Sequence, residues 1–215
     1  MLVVAFVGTA AWAFAWRPSI DAVELPARAE PAATRARTRL RLCWLENDSA
    51  AGSTVSALLV RHREGDVLVD TGASTAFSDE IDDYPFTTWL WLTLLPGQMA
   101  PTRTIAAELR SVDADPERVR WVIPTHVHID HVGGIVDLPD APILLAAEEI
   151  AFARSRADAR ELHVVPAHAR ALEGRTTPIP FEDEPYEIFP RSFDVLGDGA
   201  IVIVPRQRRG LREPR

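Results

Sequence analysis

The chain has 215 residues, of which 47% are hydrophobic and 25% charged, with a formal net charge of −8. These values describe a globular protein with a real core and exclude a chain that is disordered throughout. The acidic balance argues against a nucleic-acid surface, and a single cysteine, Cys43, excludes an internal disulfide.

Residues 2–16 are almost wholly apolar, with Trp12, Phe14 and Trp16 at the far end. The run is shorter than the ~20 residues that span a bilayer as a helix. No Lys or Arg precedes it, so the charged start of a signal peptide is missing. Ala13-Phe14-Ala15 nevertheless fits a small-x-small cleavage pattern, and the segment that follows cannot cover an apolar helix. Residues 1–16 are therefore expected to be a signal peptide or membrane anchor, with a periplasmic or cell-surface location and membrane association through the N-terminus. The alternative is a buried helix in a cytoplasmic protein. Residues 17–39 are rich in Pro, Ala and Arg, lack periodicity, and read as a linker.

The folded domain is expected over residues 40–205. Residues 40–45 alternate with period two, as a strand should, and place Cys43 as a buried strand residue. Residues 54–62 and 67–70 form a second and third strand, joined as a hairpin through the turn residues Arg63-Glu64-Gly65-Asp66. Asp70-Thr71-Gly72 leaves a carboxylate at the end of the third strand. Residues 73–101 contain an acidic stretch and then Phe86, Trp89, Leu90, Trp91, Leu92, Leu94 and Leu95. A core helix is the first reading of this insert, and a lid or membrane contact the second. Thr102 can cap a helix ending near Ser111, and Asp115-Pro116 opens a short helical turn.

A strand over residues 121–124 then leads into Thr125-His126-Val127-His128-Ile129-Asp130-His131-Val132-Gly133-Gly134. Further on, residues 142–145 read as a buried strand and 148–159 as a helix. Residues 177–181 and 186–189 suggest a hairpin, and 193–196 with 200–204 another across Gly197-Asp198-Gly199. Strands interleaved with helices predict a mixed α/β fold.

The histidine-rich stretch holds three of the six histidines. In an extended segment, residues two apart share a face, so His126 and His128 can reach one metal ion at the ~2.0–2.1 Å of Zn–N bonds. Asp130 and His131 follow where the chain turns, and offer an oxygen and a nitrogen that suit a second ion. Gly133-Gly134 permits a tight turn beside them.

His126-x-His128-x-Asp130-His131 resembles the metal-binding signature of the metallo-β-lactamase superfamily. Residues 67–72 resemble its upstream strand motif, and the likeness runs over about residues 40–205. The resemblance implies a four-layer αβ/βα sandwich with metals at one edge of two facing sheets. It implies His126 and His128 on one ion, Asp130 and His131 on the other, and Asp70 behind them ordering the metal loop. The cofactor implied is zinc, one or two ions, with iron and manganese as alternatives of similar ligand chemistry. The activity implied is hydrolysis of a lactone, ester, thioester or β-lactam carbonyl in a small-molecule substrate, by water that the metals activate.

The family pattern carries a third histidine, a bridging aspartate and a last histidine later in the chain. Here no histidine follows His168, and residues 206–215, five of them arginine, read as a basic tail. The expectation is a domain truncated at its C-terminal side, with much of the second half of the fold missing. His62, His163 and His168 are poor replacements, because the third ligand should follow the strand near Val204. A catalytically inactive remnant with a partial metal site is therefore the alternative to an enzyme. A nuclease or nucleic-acid binder using the arginine tail is a weaker third reading.

Overall fold

A computed structural model describes residues 40–47, 55–82, 84–94, 100–138, 140–155 and 164–205. The expectations for residues 1–16, 17–39 and 206–215, and for His163, lie outside the described residues.

Three strands open the domain: β1 (Arg41–Asn47), β2 (Val55–Arg61) and β3 (Asp66–Val69), paired antiparallel in order. The period-two pattern dictates their faces. Cys43 and Leu45 stand opposite Leu59 and Ala57 and point into one core. Leu42 and Trp44 point the other way and are exposed. Cys43 is only half-buried, since β1 is the edge strand of the sheet.

The chain returns to the sheet parallel to β3 through β4 (Val119–Ile123), then β5 (Ile143–Leu145) and β6 (Thr176–Pro178), giving the order β1-β2-β3-β4-β5-β6. Residues 177–181 are expected to form a hairpin with 186–189, and β6 overlaps the first of these segments. Strand β6 instead runs parallel beside β5, and Tyr186 and Phe189 make only an isolated bridge. Strands β7 (Phe193–Asp194) and β8 (Val202–Ile203) pair antiparallel across the expected glycine turn, where Gly197 and Gly199 both have φ of 73°.

Helices fill the connections. Between β3 and β4 lie α1 (Phe77–Glu80), α2 (Phe86–Leu94) and α3 (Ile105–Ser111). The cap of α3 is Thr104, not Thr102: its hydroxyl accepts from the Ala107 N–H at 3.2 Å. A 3₁₀ turn at Pro116–Arg118 is capped by Asp115, as its sequence predicts. After β4 come α4 (Ile129–Val132) and a 3₁₀ segment (Gly133–Asp137), then α5 (Ala147–Arg154) and α6 (Pro166–Leu172). Helix α6 has no counterpart in the sequence expectations.

The core-helix reading of the insert is corrected in part. Trp89 packs against the cluster formed by Ala73, Phe77, Ile81, Tyr84, Ile129 and Val165, while Phe86, Leu90 and Leu94 are exposed, at 70%, 37% and 71%. They recur every four residues and so share one face of the helix. That face is turned to solvent.

The main core lies between one face of the sheet and helices α3, α5 and α6, and includes Leu59, Leu68, Leu109, Val122, Val127 and Leu145. The opposite face packs Val60, Val67, Ile123 and Leu144 against Ile179, Val195, Phe193 and Ile203. The result is a mixed α/β architecture of a parallel and antiparallel sheet covered on both faces. Neighbouring parallel strands β3 and β4 end side by side, with Val69 opposite Ile123. The loops leaving them are the ones that carry Asp70 and the histidines.

Candidate metal centre

Asp70 closes β3 in the left-handed region, with φ of 57°. An aspartate tolerates that conformation better than most residues. The bend turns its side chain, which is 8% exposed at the residue level, toward the loop after β4. There its Oδ1 accepts from the Thr125 N–H at 2.7 Å, and the Thr125 hydroxyl lies 3.1 Å from both carboxylate oxygens. Its Oδ2 stands 2.9 Å from Nδ1 of His131. A carboxylate only accepts, so Nδ1 carries the proton and Nε2 presents its lone pair outward.

The same loops are tied through the backbone. The Thr71 N–H and hydroxyl both donate to the His131 carbonyl, at 2.8 and 2.9 Å. The Gly134 N–H donates to the Gly72 carbonyl at 3.1 Å. Neither Gly133 nor Gly134 has a positive φ, so the tight-turn explanation for the pair does not hold. Close approach explains them: a Cβ on Gly133 would stand 2.3 Å from the Ser74 nitrogen, and one on Gly134 2.4 Å from the Thr71 oxygen.

Four candidate ligands gather at this junction. The rings of His126 and His128 meet edge-on with centroids 4.5 Å apart, and those of His126 and His131 are tilted at 4.0 Å. A carboxylate oxygen of Asp130 lies 3.5 Å from Nε2 of His131. Asp130 and His131 sit on the single turn α4, which His128 precedes in an extended conformation. Val127 points the opposite way, into the main core, and is fully buried.

Electrostatics divides the imidazoles. Burial pushes the His126 pKa down, and the neighbouring His131 and His128 push it further, so the neutral ring that a metal requires is favoured. For His131, burial acts downward, but the hydrogen bond to Asp70 and the charges of Asp70 and Asp130 outweigh it and raise the value.

Three imidazoles and a carboxylate converging from one loop fit a zinc-type ion in donor chemistry. Their present geometry is one of ring contacts and hydrogen bonds: among the described residues, no group of three His, Cys, Asp or Glu side chains stands in a metal-holding arrangement. His62 and His168 lie elsewhere. His62 pairs with Asp198 at 3.0 Å, and the fully buried His168 with Glu80 at 3.0 Å.

Two contacting residues have no role in the sequence expectations. Thr125 bridges Asp70 to the ring nitrogens of His126 at 3.1 Å and His131 at 3.4 Å. Glu149, on α5, accepts from the Val127 N–H at 3.2 Å. A hydroxyl directly before the first histidine was a usable signal for Thr125. Glu149 had none, being one of two adjacent glutamates opening a helix.

Comparison with known proteins gives the same direction. The sequence model of the metallo-beta-lactamase superfamily matches residues 51–205. The protein named “Probable metallo-hydrolase Rv2300c” from Mycobacterium tuberculosis is 31% identical over 107 residues, 50% of this chain and 33% of that protein. An N-acyl homoserine lactonase of Bacillus cereus is 27% identical over 129 residues, 57% of this chain and 48% of the lactonase. This chain thus spans from a third to about half the length of these curated relatives. A solved structure from work on how indirect contributions of mutations underlie optimization of new enzyme function aligns with a TM-score of 0.51 at 20% identity. It covers 74% of this chain and 65% of that one, a likeness of fold alone. The loop that Asp70 braces and the match over residues 51–205 lead to one assignment: the chain belongs to the metallo-beta-lactamase superfamily.

Proposed function

We propose that this chain carries metal ligands of a hydrolase acting on a lactone, ester, thioester or β-lactam carbonyl. The observation that carries the reading is the gathering of His126, His128 and His131 within ring contact, with Asp130 at the outer nitrogen of His131. His126 and His128 would hold one ion, and Asp130 and His131 a second, with zinc the ion these donors suit best. A bound zinc ion supplies Lewis-acid polarisation of a carbonyl and acidification of a water.

The protein's own residues supply orientation. Asp70 holds the Nδ1 proton of His131, which directs Nε2 toward Asp130 and raises the basicity of the ring. Burial and the neighbouring imidazoles keep His126 in its neutral, ligating form. Thr71 and Gly134 lock the loop that carries them. Helix α2 exposes Phe86, Leu90 and Leu94 while Trp89 packs on the cluster containing Ile129, so apolar surface lies on an element joined to the metal loop. That favours a substrate with an apolar portion. A lactonase among the relatives supports the carbonyl class.

The test is metal content and turnover of the purified 215-residue chain. Binding of one to two zinc equivalents, lost in His126→Ala/His128→Ala, together with hydrolysis of a chromogenic lactone or β-lactam, supports the enzyme. Less than one equivalent with no turnover supports the inactive remnant and overturns the proposal.

A further inference from the structure

The loop that carries the histidine pair leaves the sheet at Ile123. Beyond that point a backbone N–H has no strand partner, and a buried one must find an acceptor elsewhere. The Val127 N–H finds the Glu149 carboxylate, at 3.2 Å and 22 residues away. The Val127 side chain is at the same time fully buried in the main core, in the cluster that also holds Val122 and Leu145. Both the peptide plane and the side chain of Val127 are therefore held.

His126 and His128 flank this residue. While the Val127 side chain is held inward, the half-buried rings of His126 and His128 meet with centroids 4.5 Å apart. With its N–H fixed by Glu149, the peptide joining His126 to Val127 cannot rotate freely. Helix α5 gives the carboxylate a firm base, because Ala153 is buried in the same core and Ile150 and Phe152 pack against it. The neighbouring Glu148 is exposed.

From this geometry we propose that Glu149 is a positioning residue for the histidine pair: it clamps the Val127 peptide so that His126 and His128 face one ion. The inference rests on the metal-centre reading given above for the ligand role of the two histidines. It adds a residue that touches neither metal nor substrate, and acts through the backbone between two ligands.

The test uses the full chain, with Glu149→Met keeping side-chain bulk without an acceptor, Glu149→Gln keeping a neutral acceptor, and Glu148→Ala as control. Amide exchange is read at Val127 without metal, and cobalt(II) affinity and its absorption spectrum are read by titration. In Glu149→Met the Val127 amide is expected to exchange about 10-fold faster, the cost of one charge-assisted hydrogen bond, while Val122 and Ile123 keep their rates. Cobalt affinity is expected to fall about 10- to 100-fold, the usual loss when a group that orients a ligand is removed, with an altered spectrum. Glu149→Gln recovers most of both, and Glu148→Ala changes neither.

A wild-type exchange rate at Val127 in Glu149→Met overturns the clamp, as does wild-type cobalt affinity in that variant. If His126→Ala/His128→Ala binds cobalt as well as wild type, the metal-centre reading fails instead, and the Val127 exchange rate still reports on the clamp by itself. Should Glu149→Met not fold, Glu149→Ala replaces it with the same criteria.

Discussion

The Asp70 carboxylate and the His131 imidazole meet at 2.9 Å across 61 residues of chain. One oxygen orients the ring, and the other accepts the Thr125 N–H at 2.7 Å. A single buried side chain thus ties the end of β3 to both ends of the histidine loop. Asp70→Ala is expected to lose about 1–3 kcal/mol of stability, because buried donors lose their acceptor. Metal affinity should drop about 10- to 100-fold. Urea unfolding and competition with a chromophoric chelator measure the two effects, and unchanged affinity would contradict the orienting role.

The histidines should titrate in opposite directions. His131 is raised above 6.5 in the folded chain, since Asp70 and Asp130 outweigh burial. Its contribution to stability is then full below pH 6.5 and is lost as pH rises through the elevated folded value. His126 is lowered, mainly by burial, so its protonation costs stability as pH falls below 6.5. Proton NMR titration of the metal-free chain should resolve one midpoint above and one below 6.5, and Asp70→Asn should move only the upper one substantially.

Gly133→Ala tests the close approach of the two loops. The added carbon would sit 2.3 Å from the Ser74 nitrogen and 2.7 Å from the Ala73 carbonyl carbon, both of them backbone atoms with little room to yield. A loss of about 1–3 kcal/mol is expected, as for other overpacked sites. A thermal melt within one degree of wild type would show that the loops separate freely.

Away from the histidine cluster, Glu80 and the fully buried His168 are hydrogen-bonded at 3.0 Å. The bond joins α1 to α6. His168→Leu should cost about 1–3 kcal/mol, because it leaves a largely buried carboxylate oxygen without its donor. The double change Glu80→Leu/His168→Leu should recover much of that loss. Denaturant midpoints of the three proteins check the ordering.

Asp137 gives the reverse sign. Burial raises its pKa, and the Glu80 charge adds to this, against an opposing pull from His168. A raised carboxylate penalises the folded state once ionised, so the penalty is full above the folded value and fades as pH falls toward 3.8. Asp137→Asn should therefore stabilise the protein at pH 7. The gain should be less than about 1 kcal/mol, since the residue is partly exposed and solvent screens it. A lower melting temperature at pH 7 would refute this sign.

Local pattern and tertiary contact divided the information in this protein. The alternation in residues 40–45 and the turn residues at 63–66 determined the first three strands, and the glycines at 197 and 199 determined the last hairpin, because each depends on residues near in sequence. The spacing of His126, His128, Asp130 and His131 determined which donors lie together on one loop. Only the folded chain decided that Thr125 and Glu149 hold that loop, that His168 pairs with Glu80 across 88 residues, and that residues 176–178 join β5 in parallel. Hydrogen bonds between distant residues leave no period in the sequence, and a carboxylate on a helix reads the same whether it meets water or a backbone N–H. The apolar run at 86–94 makes the same point from the other side: its composition signals burial, but a nine-residue helix lying on a core can bury one face, and here that face is centred on Trp89.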